Sequence, residues 1–120
     1  MAQATGIGGV FFRASDPQGL GNWYKTHLGI DMSAGAWIQA AGPTVFAPFP
    51  ADSDYFLADR QTMLNFRVDD LTGLIAKLQA AGIAVETRPE WDSEIGRFAR
   101  IRDPEGNPVE LWGPAGPAAI

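Results

Sequence analysis

Apolar and polar positions along the chain switch between two periods, and the switches mark out its elements. Residues 6–13, G-I-G-G-V-F-F-R, read as a strand carrying glycines where a backbone or a ligand can come close. From Asp16 the period lengthens. Leu20, Trp23, Tyr24 and Leu28 fall at i, i+3, i+4 and i+8, the stripe of an amphipathic helix of about three turns. Asp16 stands as its N-cap, Pro17 at its first position and Gly29 where a left-handed residue would end it. Short extended pieces follow around 30–32, 36–40 and 44–47, punctuated by Gly35 and Gly42-Pro43. Residues 49–61 carry Pro and Asp with no clean period and read as a connector. The pattern then restarts. A strand over 62–68 leads to a helix capped at Asp69-Asp70, with Leu71, Leu74, Ile75 and Leu78 as its stripe and Gly82 as its stop. A strand at 83–86 and a loop at 88–96 containing Trp91 precede a hairpin over 97–112, and the tail from 113 to 120 has no pattern and reads as frayed.

The hairpin organises the rest. In its turn, Asp103-Pro104-Glu105-Gly106-Asn107, Pro fixes φ early while Gly106 and Asn107 are expected to supply the positive-φ positions. On the returning strand Val109 and Leu111 share one face, Glu110 and Trp112 the other. If the first pair seals the core, Glu110 points out of the opposite face, as a solvated rim residue or as the floor of a cleft.

The two halves match each other. Phe12, Arg13, Asp16, Gly19 and Leu20 align with Phe66, Arg67, Asp70, Gly73 and Leu74 at an offset of 54, and Gly29-Ile30 with Gly82-Ile83 after a one-residue deletion. Two copies of one strand–helix–strand–strand–strand unit follow. The predicted fold is α+β: two tandem βαβββ modules forming a cupped, partly open mixed sheet with the helices outside. The whole chain, 1–120, reads as one domain, with module 1 at about 6–48, the connector at 49–61 and module 2 at about 62–113.

On these features the chain resembles the vicinal oxygen chelate superfamily, the glyoxalase, bleomycin-resistance and extradiol-dioxygenase group. The likeness is carried by I-G-G-V-F-F-R-A-S-D-P, N-W-Y-K-T-H-L-G-I, F-R-V-D-D-L, L-Q-A-A-G-I and above all R-D-P-E-G-N-P-V-E-L-W. The resemblance implies a metal site drawing one side chain from each of four strands. Those positions fall here on Gly9, Phe46, Met63 and Glu110, of which only Glu110 is a ligand of the usual kind; Phe46 is placed by matching G-P-T-V-F-A to G-N-P-V-E-L. A divalent ion needs several donors to repay its dehydration, so no metal and no other cofactor is expected.

Composition narrows the partners. A net charge of -5 without clustered Lys or Arg argues against a nucleic acid. With no cysteine there is no thiol chemistry, and no apolar run approaches the length of a membrane span or a signal peptide. A soluble cytoplasmic protein is expected. The resemblance adds a homodimer, because modules of this family often pair between chains.

The candidate site lies on the sheet's second face. Trp37, Phe46, Phe98 and Trp112 are expected as aromatic walls over a floor at Gly9 and Met63, with Glu110, Asn65, Arg67 and Arg100 as polar anchors. Arg67 and Arg100 equally fit solvated edge positions. Glu110 would hold a ligand's polar group or act as a general base. His27, the only histidine, sits in a helix's last turn, where the carbonyls favour it without any catalytic role. The reading that results is a small-molecule binding protein of the drug-sequestering kind, taking an apolar or aromatic ligand without a metal. The alternative is an enzyme, either a glyoxalase-like lyase or isomerase with Glu110 as base, or a metalloenzyme with a rearranged site.

Overall fold

The computed structural model describes residues 2–115, so all but the first residues of the patternless tail lie outside the described part. Two helices, α1 (Pro17–Leu28) and α2 (Leu71–Ala80), pack with three strands, β1 (Leu64–Arg67), β2 (Gly96–Arg102) and β3 (Pro108–Pro114). Both helices start in the same way. Asp16 Oδ1 accepts from the Gly19 N–H at 3.0 Å and Asp70 Oδ1 from the Gly73 N–H at 2.9 Å. A Cβ at either glycine would overlap the Oδ2 of its own cap, which is why the D-x-x-G-L pattern recurs in both halves. Gly29, at φ 73°, ends α1 in the left-handed conformation as its position predicts.

The sheet runs β1-β3-β2, with β3 in the centre, parallel to β1 and antiparallel to β2. Beyond β2, the expected strand at 83–86 is reduced to one bridge, in which Glu86 and Arg100 exchange backbone hydrogen bonds of 2.8 Å. One face of the sheet carries Ala99, Ile101, Val109 and Leu111, all at most 1% exposed, against Leu20 and Tyr24 of α1 and Leu71 and Leu78 of α2. That is the core, and both helices cover it.

The turn between β2 and β3 differs from expectation in one residue. Gly106 takes positive φ, 82°, but Asn107 does not. Instead, the Asn107 side chain donates to Asp103 Oδ2 at 2.8 Å and its backbone N–H to Asp103 Oδ1 at 3.0 Å. Asp103, 4% exposed, also accepts from the Glu105 N–H at 2.9 Å and from the Tyr24 hydroxyl at 2.7 Å. Glu105 reaches the other way, accepting from the Ser15 and Asp16 N–H groups at 2.7 and 2.9 Å. The D-P-E-G-N turn thus fastens the helix of the first half onto the hairpin of the second.

The larger departure lies in the first half. Of its expected elements only the helix forms; among the described residues, 6–13 and 30–47 join no strand ladder, and the sheet has three strands rather than two cupped halves. A strand exists only against a neighbour, and although the outer edge of β1 is open, neither segment pairs with it. Their apolar side chains stand in solvent, with Phe11 95%, Ile38 87%, Phe46 87% and Val45 71% exposed. Among the described residues no helix is long and apolar enough to cross a membrane.

Candidate functional site

On the face of the sheet away from the helices, the register sets six of the nominated residues in two rows. Asn65 and Arg100 each pair with Glu110 from either side, and beside them Arg67 and Phe98 flank Trp112 in the next row. Strand parity delivers this arrangement: once Val109 and Leu111 are committed to the core, alternate residues must face the other way.

Glu110 is 7% exposed and bonded at both oxygens. Asn65 Nδ2 donates to Oε1 at 2.7 Å, and the Tyr55 hydroxyl donates to Oε2 at 2.5 Å. Tyr55 arrives from the connector, over the top of the sheet. Burial pushes its phenol up to about 12, with the hydrogen bond to Glu110 and that carboxylate's charge adding to the effect while Arg100 opposes it. The Arg100 guanidinium lies over the Tyr55 ring at 5.0 Å and the Trp91 ring at 5.2 Å, and its Nη2 donates to the Tyr55 carbonyl at 3.1 Å. Its Nε is buried with no acceptor. In the second row Phe98 and Trp112 are stacked, 6.0 Å between centroids and 3° between planes, and the Trp112 indole N–H donates to the Ile95 carbonyl at 3.0 Å.

Three nominated residues stand elsewhere, and Arg67 is already engaged. The Arg67 guanidinium donates to the carbonyls of Ala40, at 2.9 Å, and Pro43, so it pins the 40–44 loop. Trp37 meets the edge of Phe66 at 6.1 Å, and Phe66 in turn meets Tyr24, which puts Trp37 with the helix-side aromatics. Phe46 is exposed, and Met63 is half-buried just ahead of β1. Conversely, Tyr55 and Trp91 complete the surroundings of Glu110 and Arg100 though no periodicity singles them out. Their only signal is an aromatic ring in a segment without regular period, and Tyr55 shares its connector with Phe49 and Phe56.

The positions corresponding to a four-strand metal site do not fit a divalent cation. Glycine and phenylalanine offer no side-chain donor, Met63 offers a thioether, and both Glu110 oxygens already accept from protein donors. Among the described residues no group of three His, Cys, Asp or Glu side chains is gathered as a metal centre.

A mixed three-stranded sheet with helices on one face and a polar and aromatic face on the other makes this an α+β protein. The chain belongs to the glyoxalase-like domain family, whose model matches residues 9–112, and through it to the vicinal oxygen chelate superfamily. Two solved structures from Streptomyces sp. CB03234 are similar. TnmS3, an antibiotic binding protein, is 29% identical over 84% of this chain and 88% of its own, with a TM-score of 0.54. A glyoxalase/bleomycin resistance protein is 28% identical over 82% of this chain and 91% of its own, with a TM-score of 0.51. No curated protein matches the chain.

Proposed function

We propose that this protein binds small apolar or aromatic molecules without a metal, on the face of the sheet that carries Glu110. The observation that carries the reading is the composition of that face: Phe98, Arg100, Glu110 and Trp112 are laid side by side by the β2–β3 register, and a connector with no regular structure is their cover. Small-molecule sites are lined by aromatic side chains with a few fixed polar groups, and this face sets two stacked rings beside a buried carboxylate and a guanidinium. The resemblance to TnmS3, an antibiotic binding protein, supports a small-molecule ligand.

The site is completed, in this reading, by a second copy of the chain. The chain exposes 8702 Å², about 2,400 Å² more than a compact monomer of 12.9 kDa would. Its radius of gyration, 15.0 Å, exceeds the roughly 13.5 Å expected for this length. A stable interface needs about 800 Å² from each partner, so the surplus is ample. The unpaired first-half segments are its natural source, and modules paired across a homodimer would give them the neighbours they lack. Sedimentation at micromolar concentration is expected to show a dimer; a monomer rejects this part.

The binding claim is tested by calorimetry against a panel of aromatic and cationic antibiotics, together with metal analysis after mild purification. Binding by at least one aromatic member, lost in Trp112→Ala and present without metal, is the expected result. A panel that gives no heat refutes the claim. Stoichiometric metal would favour the lyase or isomerase alternative.

A further inference from the structure

Resting on the binding reading, we infer that the site takes a planar phenol, and that Tyr55 occupies the phenol's place when no ligand is bound. Two contacts define the place: the Tyr55 hydroxyl on Glu110 Oε2 and the Tyr55 ring against the Arg100 guanidinium. A ligand that brings its own hydroxyl and its own ring reproduces both and displaces the side chain.

The surroundings fix the chemistry more narrowly than an aromatic cleft would. Glu110 Oε1 is held by Asn65, a residue of the sheet itself, so Oε2 is the oxygen whose partner is exchangeable. A single donor is therefore called for. An ammonium would supply one too, but without a ring it forgoes the aromatic face over which the Arg100 guanidinium lies at 5.0 Å. A neutral hydroxyl on a ring keeps the favourable face for Arg100 and adds no charge. The buried Arg100 Nε has no acceptor in the closed arrangement. A second oxygen on the ligand's ring is the kind of acceptor it lacks, and Tyr55, whose one hydroxyl is on Glu110, has none to offer.

Beyond Glu110 and Arg100, the only rings the Tyr55 ring meets among the described residues are those of Phe49 and Trp91, at 5.7 and 6.5 Å. Its segment joins no ladder, and its backbone is held by the Ser53 hydroxyl at 3.2 Å and by Arg100 at 3.1 Å. Trp91 stays behind as the other aromatic face on Arg100, so the guanidinium is not stripped when the connector swings out.

Calorimetric titration with 2-naphthol and 2-methoxynaphthalene tests this directly, since opening the connector costs both probes the same and only the first can donate to Glu110. The native chain is expected to bind 2-naphthol at least about fivefold more tightly. Tyr55→Phe, which keeps the ring and removes the competing hydroxyl, should tighten 2-naphthol by a similar factor, with circular dichroism reporting that the variant is folded. Glu110→Gln should bring the two probes within about twofold of each other. Equal affinity of the native chain for both probes overturns the phenol assignment while leaving the binding reading intact. Weaker 2-naphthol binding in Tyr55→Phe overturns the displacement and makes Tyr55 a fixed wall. Silence from both probes and from the antibiotic panel overturns the binding reading itself.

Discussion

Replacing Tyr24 with Phe tests whether the turn between β2 and β3 truly ties the two halves together. Tyr24 is 6% exposed, and its ring meets Trp23 at 5.0 Å, Phe66 at 6.1 Å and Phe12 at 6.4 Å, contacts that Phe retains. What disappears is the 2.7 Å bond to Asp103 Oδ2. A hydrogen bond to a charged group contributes about 1.5–3 kcal/mol. Asp103 keeps its bonds from Asn107 and Glu105, so the carboxylate is not orphaned and the loss should fall at the low end, about 1.5 kcal/mol. In urea, with a slope of about 1.5 kcal/mol per molar, the midpoint drops by about 1 M. A second readout comes from alkali. Burial, then the bond to Asp103 and that residue's charge, raise the Tyr24 phenol well above its ordinary 10.0. With the folded value above the unfolded one, this contribution is intact below about pH 10 and is lost as pH climbs past it. The Phe variant should lose less stability than the native chain above pH 10. A midpoint shift below about 0.2 M, with an unchanged alkaline limb, would show that the turn does not fasten α1.

Three other perturbations follow from the same geometry. Gly96→Ala should destabilise by about 2 kcal/mol or more in urea melts, because Gly96 sits at φ 138° and a Cβ would overlap the Gly113 carbonyl; a native-like melt refutes it. Gly73→Ala should be close to neutral in the native chain yet stabilising by about 0.5–1 kcal/mol once Asp70 is also replaced by Ala, since the methyl then no longer meets the cap; a cycle with no coupling rejects the shared-cap explanation. The Ser15 and Asp16 N–H groups hold the Glu105 carboxylate below its usual value, so its contribution is present above about pH 4.5 and fades as pH falls through the folded value. Glu105→Gln should therefore lose stability relative to the native chain near neutrality and converge with it in acid, as melts at pH 6 and pH 3 would show.

Local rules wrote much of this fold legibly. Both helices, their Asp caps and the left-handed Gly29 follow from periodicity and capping chemistry, and the two faces of the hairpin follow from parity alone. So does the grouping of Asn65, Glu110 and Arg100 in one row. What parity cannot reveal is how a residue outside any element folds back: Tyr55 finds Glu110 across 55 positions of sequence, and Arg67 is taken by the 40–44 loop. Asp103 and Glu105 read as turn formers, and Asp103 does close the turn, but it also takes the Tyr24 hydroxyl while Glu105 holds the N–H groups at the start of α1. The first-half strands show the other limit. The pattern at 6–13 is that of a strand, but a strand exists only where it pairs with an edge, and periodicity does not say which edge that is.

Mapping amide shifts during a titration with 2-naphthol or an antibiotic that binds would test the central claim most directly. The perturbed residues should be Asn65, Phe98, Arg100, Glu110 and Trp112, with Tyr55 and Trp91 moving with them and the buried faces of α1 and α2 silent. Shifts confined to the helix side, around Leu20, Tyr24 and Leu78, would contradict a binding face built on Glu110.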